Sequence, residues 1–238
     1  MLDPQQTVAR IVLAHSECAS VFQRYRIDFC CHGDTSLEAA CHQRNIELTA
    51  VLEDLDGALS QRRDEPISDP HLLSTHALVS HIVSNHHEYL RKSLPFIQGL
   101  AAKVARVHGR RNPRLEQVDA VVRQLIVVLL PHQEFEEQEV FPAIVAEPPD
   151  RILVARKLEA MHEDYLIVGR LLERLRTATE EYLIPDWACN SYRTLFAELQ
   201  HFESDLLRHV YLENHVLIPR FMTQSSAAEA TLAPTMQN

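Results

Sequence analysis

Four long segments of the chain repeat apolar residues at every third or fourth position. The first begins at Leu72 and continues through Val79, Val83 and Leu90 to Ile97. This spacing places the apolar side chains on one face of an α-helix. Equivalent stripes occupy three later segments, at about 118–140, 154–175 and 195–217. Four amphipathic helices joined by short connections predict an all-α chain built around an up-down four-helix bundle.

The rest of the chain divides around this bundle. Residues 1–60 predict a small domain of short helices. Residues 61–70 are polar, contain two prolines and predict a linker. The bundle then spans 71–222, and residues 223–238 are small and polar, which predicts a disordered tail.

Charge and composition exclude several classes of function. The chain carries 33 acidic against 23 basic residues, a net charge of −10. An acidic chain is a poor binder of nucleic acid or anionic membrane, because phosphate groups are neutralised by clustered Lys and Arg. No apolar run reaches the roughly 18 residues that a membrane-spanning helix needs. The N-terminus lacks the layout of a signal peptide, and five cysteines, an odd number, fit reduced thiols. We therefore expect a cytoplasmic protein.

Six polar side chains occupy stripe positions where the pattern requires apolar residues. An unpaired carboxylate costs several kcal/mol or more to bury, so a buried one is paired or bound to metal. Two carboxylates beside four imidazoles predict a bound cation. The six residues are His87, His132, Glu136, His162, His209 and Glu213.

These six residues follow a repeated pattern. His132 precedes Glu136 by four positions, as His209 precedes Glu213, so each pair lies on one helix face. In both copies a proline follows the glutamate by six positions, and a further histidine, His87 or His162, comes more than forty positions earlier. The bundle therefore resembles a duplicated helical hairpin in which each half supplies three donors. This symmetry predicts a two-metal site.

The donor set favours iron, with manganese or zinc as lesser options. Two histidines would serve each metal, both glutamates would bridge, and a solvent-derived oxo or hydroxo group would complete the bridge. One position would stay open for a small molecule such as O₂ or NO. Two alternatives remain open: a metal-free core of hydrogen-bonded histidines, and a mononuclear or zinc site.

The six residues resemble the donor set of hemerythrin-like four-helix bundles over about residues 70–222. Those bundles take di-iron ligands from histidines on two helices and from His-x-x-x-Glu or His-x-x-x-Asp on the other two. Leu166 stands where the oxygen carriers have a second histidine on the third helix, and both bridging residues here are glutamates. The resemblance therefore implies chemistry at a more open di-iron site rather than reversible O₂ carriage.

The N-terminal segment resembles the short domain that precedes this bundle in the RIC family (repair of iron centres). The resemblance rests on Phe22-x-x-Tyr25-x-Ile-Asp-Phe-Cys30-Cys31-x-Gly33 and on later motifs that begin at His87, Arg106 and Leu212. It implies that the six residues bind two iron ions. It also implies that the protein repairs iron–sulfur clusters damaged by nitrosative or oxidative stress, by donating iron. Damaged iron–sulfur proteins and a second copy of the chain are the expected partners.

Two other functions need the same open site. One is a cytoplasmic protein that binds NO or reduces it catalytically, so the sequence leaves enzymatic activity undecided. The other is a sensor of oxygen, iron or NO that signals through the N-terminal domain to a protein partner.

Three residues outside the stripes are further candidates. Cys30 and Cys31 are candidates for thiol redox chemistry, iron transfer or docking to a damaged cluster, and the alternative is that they only pack a loop. His108 follows the first bundle helix, where it either caps the last carbonyls or acts as an auxiliary metal ligand. The acidic residues around Glu137 are interpreted most simply as a solvated face.

Overall fold

The structure is a computed structural model that describes residues 2–30, 33–60 and 70–221, apart from the side chains of Leu13, Ser16 and His162. The predicted tail at 223–238, all of the predicted linker except Pro70, and Cys31 lie outside the described residues.

The N-terminal part consists of short helices with side-chain caps. Thr7 Oγ1 accepts a hydrogen bond from the main-chain N–H of Arg10, and Ser36 Oγ accepts one from Ala39. Each contact satisfies a main-chain donor that the first turn of a helix leaves unpaired. The helices are α1 (Val8–Ala14), α2 (Ala19–Arg24), α3 (Leu37–Gln43) and α4 (Leu48–Ser60).

The second part is a four-helix bundle, as predicted. Its elements are α5 (Thr75–His81), α6 (Glu88–His108), α7 (Arg114–Phe135), α8 (Phe141–Val145), α9 (Arg151–Thr179) and α10 (Asn190–Tyr211). Helix α6 packs on α7 and α10, α7 packs on α9, and α9 meets α10, so four long helices form a closed ring. Within the described residues there is no strand beyond one isolated bridge between Thr7 and Ser36. The predicted all-α bundle is confirmed.

Three of the predicted regular helices contain a π-helical turn. These turns are π1 (Ile82–His87), π2 (Glu136–Val140) and π3 (Leu212–Leu217). π1 joins α5 to α6, π2 joins α7 to α8, and π3 follows α10. The apolar spacing predicted these helices but did not indicate the π turns within them. π turns inside α-helices are rare and occur often at functional sites.

The N-terminal helices and the bundle share one continuous hydrophobic core. A buried polar network lies where the two parts meet. The Arg176 guanidinium donates to Glu203 and to the main-chain carbonyl oxygen of Gln23 on α2, the latter at 2.9 Å. Tyr182 donates to the other Glu203 oxygen at 2.7 Å.

Among the described helices, none combines the length and the apolar character needed to cross a bilayer.

Candidate metal site

Five of the six predicted donor residues converge at the centre of the bundle. All five are buried, and Glu136 and His87 have no exposed surface. One donor atom from each of His87, Glu136, His209 and Glu213 lies within 4.8 Å of the others. His132 adjoins this group, because its Nε2 is 3.3 Å from Glu136 Oε1.

The π turns carry three of these residues. His87 ends π1, Glu136 begins π2, and Glu213 is the second residue of π3. A π turn places an extra residue in one helical turn and so changes where the following side chains point. The local backbone therefore departs from a regular helix at the same positions that supply the cluster.

Short interatomic distances connect donors from the first and the second half of the duplicated bundle. His87 Nε2 lies 3.1 Å from His209 Nε2 and 3.3 Å from Glu136 Oε2. His209 Nε2 is also 2.9 Å from Glu213 Oε1. Several Nε2 atoms therefore face one small volume together with the carboxylate oxygens.

In two of the histidines, the opposite ring nitrogen is held by a carboxylate outside the cluster. His87 Nδ1 lies 2.7 Å from Glu137 Oε1, which also accepts a hydrogen bond from Arg91 at 2.7 Å. His132 Nδ1 lies 2.9 Å from Asp164 Oδ2. A carboxylate on one ring nitrogen fixes the tautomer and leaves the other nitrogen free to bind a metal. Interpreting Glu137 as part of a solvated face was wrong, because it anchors His87.

Further contacts support His209 and Glu213. Tyr165 donates to Glu213 Oε2 at 3.1 Å. The ring of His86 stacks on that of His209 with centroids 5.5 Å apart and planes within 4°. His86 is itself buried, and its Nδ1 lies 2.9 Å from Asp205 Oδ1.

The carboxylates of the cluster stabilise positive charge on the groups around them. Burial by itself lowers the pKa of His132, but the carboxylates of Glu136 and Glu213 and the contact with Asp164 raise it to about 10. Burial opposes the ionisation of Glu136, yet the neighbouring imidazoles, that of His132 foremost, hold its pKa below the usual range. The pKa of His209 is raised by Glu213 against the effect of burial. A buried site with this potential attracts a cation.

The Glu136 carboxylate is the clearest test of whether the cluster fits a metal. Neither of its oxygens has a hydrogen-bond partner among the described side chains, although both lie close to imidazole nitrogens. An ionised carboxylate that makes no hydrogen bond is costly to bury. A cation between Glu136 and the histidines would remove this cost, so the residues present fit a metal ion.

The other predicted site residues lie in different places. The main chain of His162 is part of α9, but its side chain is outside the description. Cys30 is buried, and its Sγ donates to Asp28 Oδ1 at 3.3 Å. The structure does not bring His108 to the cluster: it is the last residue of α6, about 30 Å along the helix from His87. Its Nε2 instead lies 3.1 Å from Sγ of Cys189.

Sequence reasoning missed the residues that support the donors. Glu137, Asp164 and Asp205 come from other helices than the histidines they contact, so no local spacing could reveal the pairs. The periodic stripe through Tyr165 indicated its burial but not its hydrogen bond to Glu213.

A closed helical bundle with imidazoles and carboxylates at its centre defines a cation-binding bundle of the hemerythrin class. The model of the hemerythrin HHE cation-binding domain matches residues 78–221, and that of a domain of unknown function, ScdA_N (DUF542), matches residues 4–59. The chain belongs to the hemerythrin HHE family, and its relatives place it in the iron–sulfur cluster repair branch of that family.

Those relatives are similar to the chain over nearly its whole length. The iron–sulfur cluster repair protein ScdA of Staphylococcus haemolyticus is 29% identical, over 93% of this chain and 100% of the relative. ScdA of Staphylococcus epidermidis is 30% identical, over 92% and 99%. The iron–sulfur cluster repair protein YtfE of Yersinia pseudotuberculosis is 31% identical, over 90% and 96%.

Proposed function

We propose that this protein repairs damaged iron–sulfur clusters and holds iron at the central His/Glu cluster. The observation that carries the proposal is the buried Glu136 carboxylate, which lies between His87 and His132 without a hydrogen-bond partner among the described residues. The names of the relatives supply the role in repair.

The proposed ligand set is the six residues of the sequence stripes. It supports a di-iron centre, because the two His-x-x-x-Glu pairs approach one another in the bundle and offer two carboxylates to be shared. Oxo or hydroxo bridging would complete the centre. Iron bound there would supply redox chemistry and an open position for a small ligand. The proposed ligands are His87, His132, Glu136, His162, His209 and Glu213.

The protein's own contribution is to orient these donors and exclude bulk water. Glu137 and Asp164 hold two imidazole rings so that Nε2 faces the centre. Tyr165 holds one oxygen of Glu213 and leaves the other directed at His209. Burial of the donors keeps competing water away, which strengthens their interaction with a cation.

We further propose damaged iron–sulfur proteins as partners, a homodimer as the assembly and the cytoplasm as the compartment. Cys30 and Cys31 would act in contact with a partner. Since Cys30 is buried, its use in transfer requires its loop to open.

Metal content of protein purified without oxygen tests the site. We expect two irons per chain, with a Mössbauer spectrum of a coupled pair after oxidation. His132→Ala and Glu213→Ala should each lose iron, whereas His42→Ala, an exposed histidine on α3, should retain it. Zinc, or only traces of metal after reconstitution with ferrous iron, would contradict the proposal.

Repair itself is tested with a purified enzyme whose [4Fe–4S] cluster has been damaged by NO. The iron-loaded protein should restore its activity, and the His132→Ala variant should not. Equal restoration by both would show that the site is not the source of iron.

A small cavity beside the cluster favours a second candidate function, the binding or reduction of NO. It is lined by His132, His209 and Glu213 together with apolar side chains, and it has room for about one water-sized molecule. Loss of NO over many turnovers, when an electron donor is supplied, would favour this function over iron donation.

A further inference from the structure

Gln133 is an amide buried in the apolar interior of the bundle. It lies on α7 directly after His132, and only 1% of its surface is exposed. Neither its Nε2 nor its Oε1 has a hydrogen-bond partner among the described residues. Native proteins leave few buried polar atoms unpaired, since each costs the free energy of removing it from water. A buried amide with both ends unpaired therefore indicates a missing partner.

The side chain of Gln133 faces the small cavity beside the proposed metal site. The cavity is lined by the apolar side chains Leu129, Val168, Leu206 and Val210 and by the proposed ligands His132, His209 and Glu213. Gln133 lines the same cavity, so a polar amide lies among these residues. A molecule in the cavity would contact the amide and the donors at the same time.

Apart from the proposed metal ligands, the other polar lining residues already have contacts. Asp164 holds His132, and the Tyr165 hydroxyl donates to Glu213. Gln133 is thus the lining side chain whose donor and acceptor are both available.

We infer that Gln133 is the polar contact of the small ligand that binds beside the metal cluster, with its Nε2 donating a hydrogen bond to that ligand. The inference rests on the proposed metal site. It adds the ligand class: a molecule of one or two heavy atoms with a hydrogen-bond acceptor directed away from the cluster. Water or hydroxide fits, because it can accept from Nε2 and donate to Oε1. A diatomic such as NO retains the contact with Nε2 alone.

Substituting Gln133 by Met tests this contact, because the two side chains have similar length and volume while Met cannot donate. The probe is NO, added to ferrous protein prepared without oxygen. We expect the variant to keep the iron content of the wild type. It should bind NO about 2- to 10-fold more weakly, which corresponds to the loss of one hydrogen bond. The N–O stretching frequency should rise, since the bond is no longer polarised by a donor.

Gln124→Met is the matched control. Gln124 lies on the same helix, but it is exposed and accepts a hydrogen bond from Arg174 on the bundle surface. This variant should match the wild type in iron content, affinity and stretching frequency.

Three outcomes are distinguishable. A weaker affinity with a raised frequency, at equal iron content, supports the inference. An unchanged affinity and frequency in Gln133→Met, at equal iron content, overturns it and leaves the metal site standing. Failure of the wild type to take up iron overturns both proposals.

Discussion

The imidazole of His215 donates a hydrogen bond from Nε2 to the main-chain carbonyl oxygen of Cys30, 2.9 Å away. Asn214 Nδ2 donates to the same oxygen at 3.0 Å. Both residues follow Glu213 directly within π3. The turn that supplies a proposed metal ligand therefore also anchors the main chain around Cys30, the cysteine loop of the N-terminal part.

Removing the His215 donor should loosen this loop. In His215→Phe the Cys30 carbonyl loses a partner, so we expect a thiol reagent to label Cys30 about 5-fold faster, the factor for roughly 1 kcal/mol. Mass spectrometry of the labelled peptide measures the rate. His201→Phe, at an exposed position of α10, is the control. If Cys30 is labelled at the same rate in the wild type and in both variants, His215 does not restrain the loop.

Gly33 should not tolerate a larger residue. A Cβ atom there would lie 2.5 Å from the Phe29 carbonyl oxygen and 2.6 Å from Ala9 Cβ, closer than such atoms approach. We expect Gly33→Ala to lower the free energy of unfolding by about 1–3 kcal/mol, as overpacking does. Gly57→Ala, in α4 with open space around it, should instead raise it by about 0.5–1 kcal/mol. Urea unfolding measures both, and a stable Gly33→Ala would contradict the tight contact.

The buried ion pair between Arg176 and Glu203 should be costly to break on one side only. Arg176→Met leaves the Glu203 carboxylate without its charged partner and removes the hydrogen bond that the Gln23 carbonyl oxygen accepts. We expect a loss of about 3–5 kcal/mol in the free energy of unfolding.

Two further variants check the cause of that loss. Arg174→Met, which removes an exposed arginine of the same helix, should change stability by less than about 0.5 kcal/mol. Replacing Arg176 and Glu203 together by Met and Leu should recover part of the loss, because no charge is then left unpaired. Equal losses in the single and double variants would exclude the ion pair as the cause.

The Cys18 thiol should make stability depend on alkaline pH. Burial, with the nearby carboxylates of Glu17 and Asp56, raises its pKa from 9.0 to about 12. Between these values the unfolded chain loses the proton while the folded chain keeps it, so stability falls as the pH rises through this window. Below pH 9.0 both states are protonated and the effect vanishes.

Unfolding in urea on either side of pH 9.0 measures this dependence. Cys18→Ala should show a smaller decrease in stability above pH 9.0 than the wild type. A decrease of the same size in both would assign the pH dependence to other groups.

The sequence predicted the bundle because apolar spacing is a local property that the ring of helices preserves. It also predicted that Glu136 and Glu213 would be buried, since both interrupt an apolar stripe. It could not predict the π turns, because the wider hydrogen-bond pattern reflects contacts made across the bundle rather than the preference of any residue. The pairing of His87 with Glu137, and the cavity beside Gln133, likewise depend on helices far apart in the chain.

The long separation between the donors has a consequence for how the protein folds. His132 and Glu136 meet within one helical turn, but His87 and His209 are 122 positions apart in the chain. Such a contact closes a long loop of the chain. The individual helices can form before this loop closes, because helix formation depends on local contacts. A metal ion that needs donors from both halves of the bundle binds only the fully folded protein. It would therefore prolong the lifetime of the native protein by slowing unfolding, with little effect on how fast the helices first assemble.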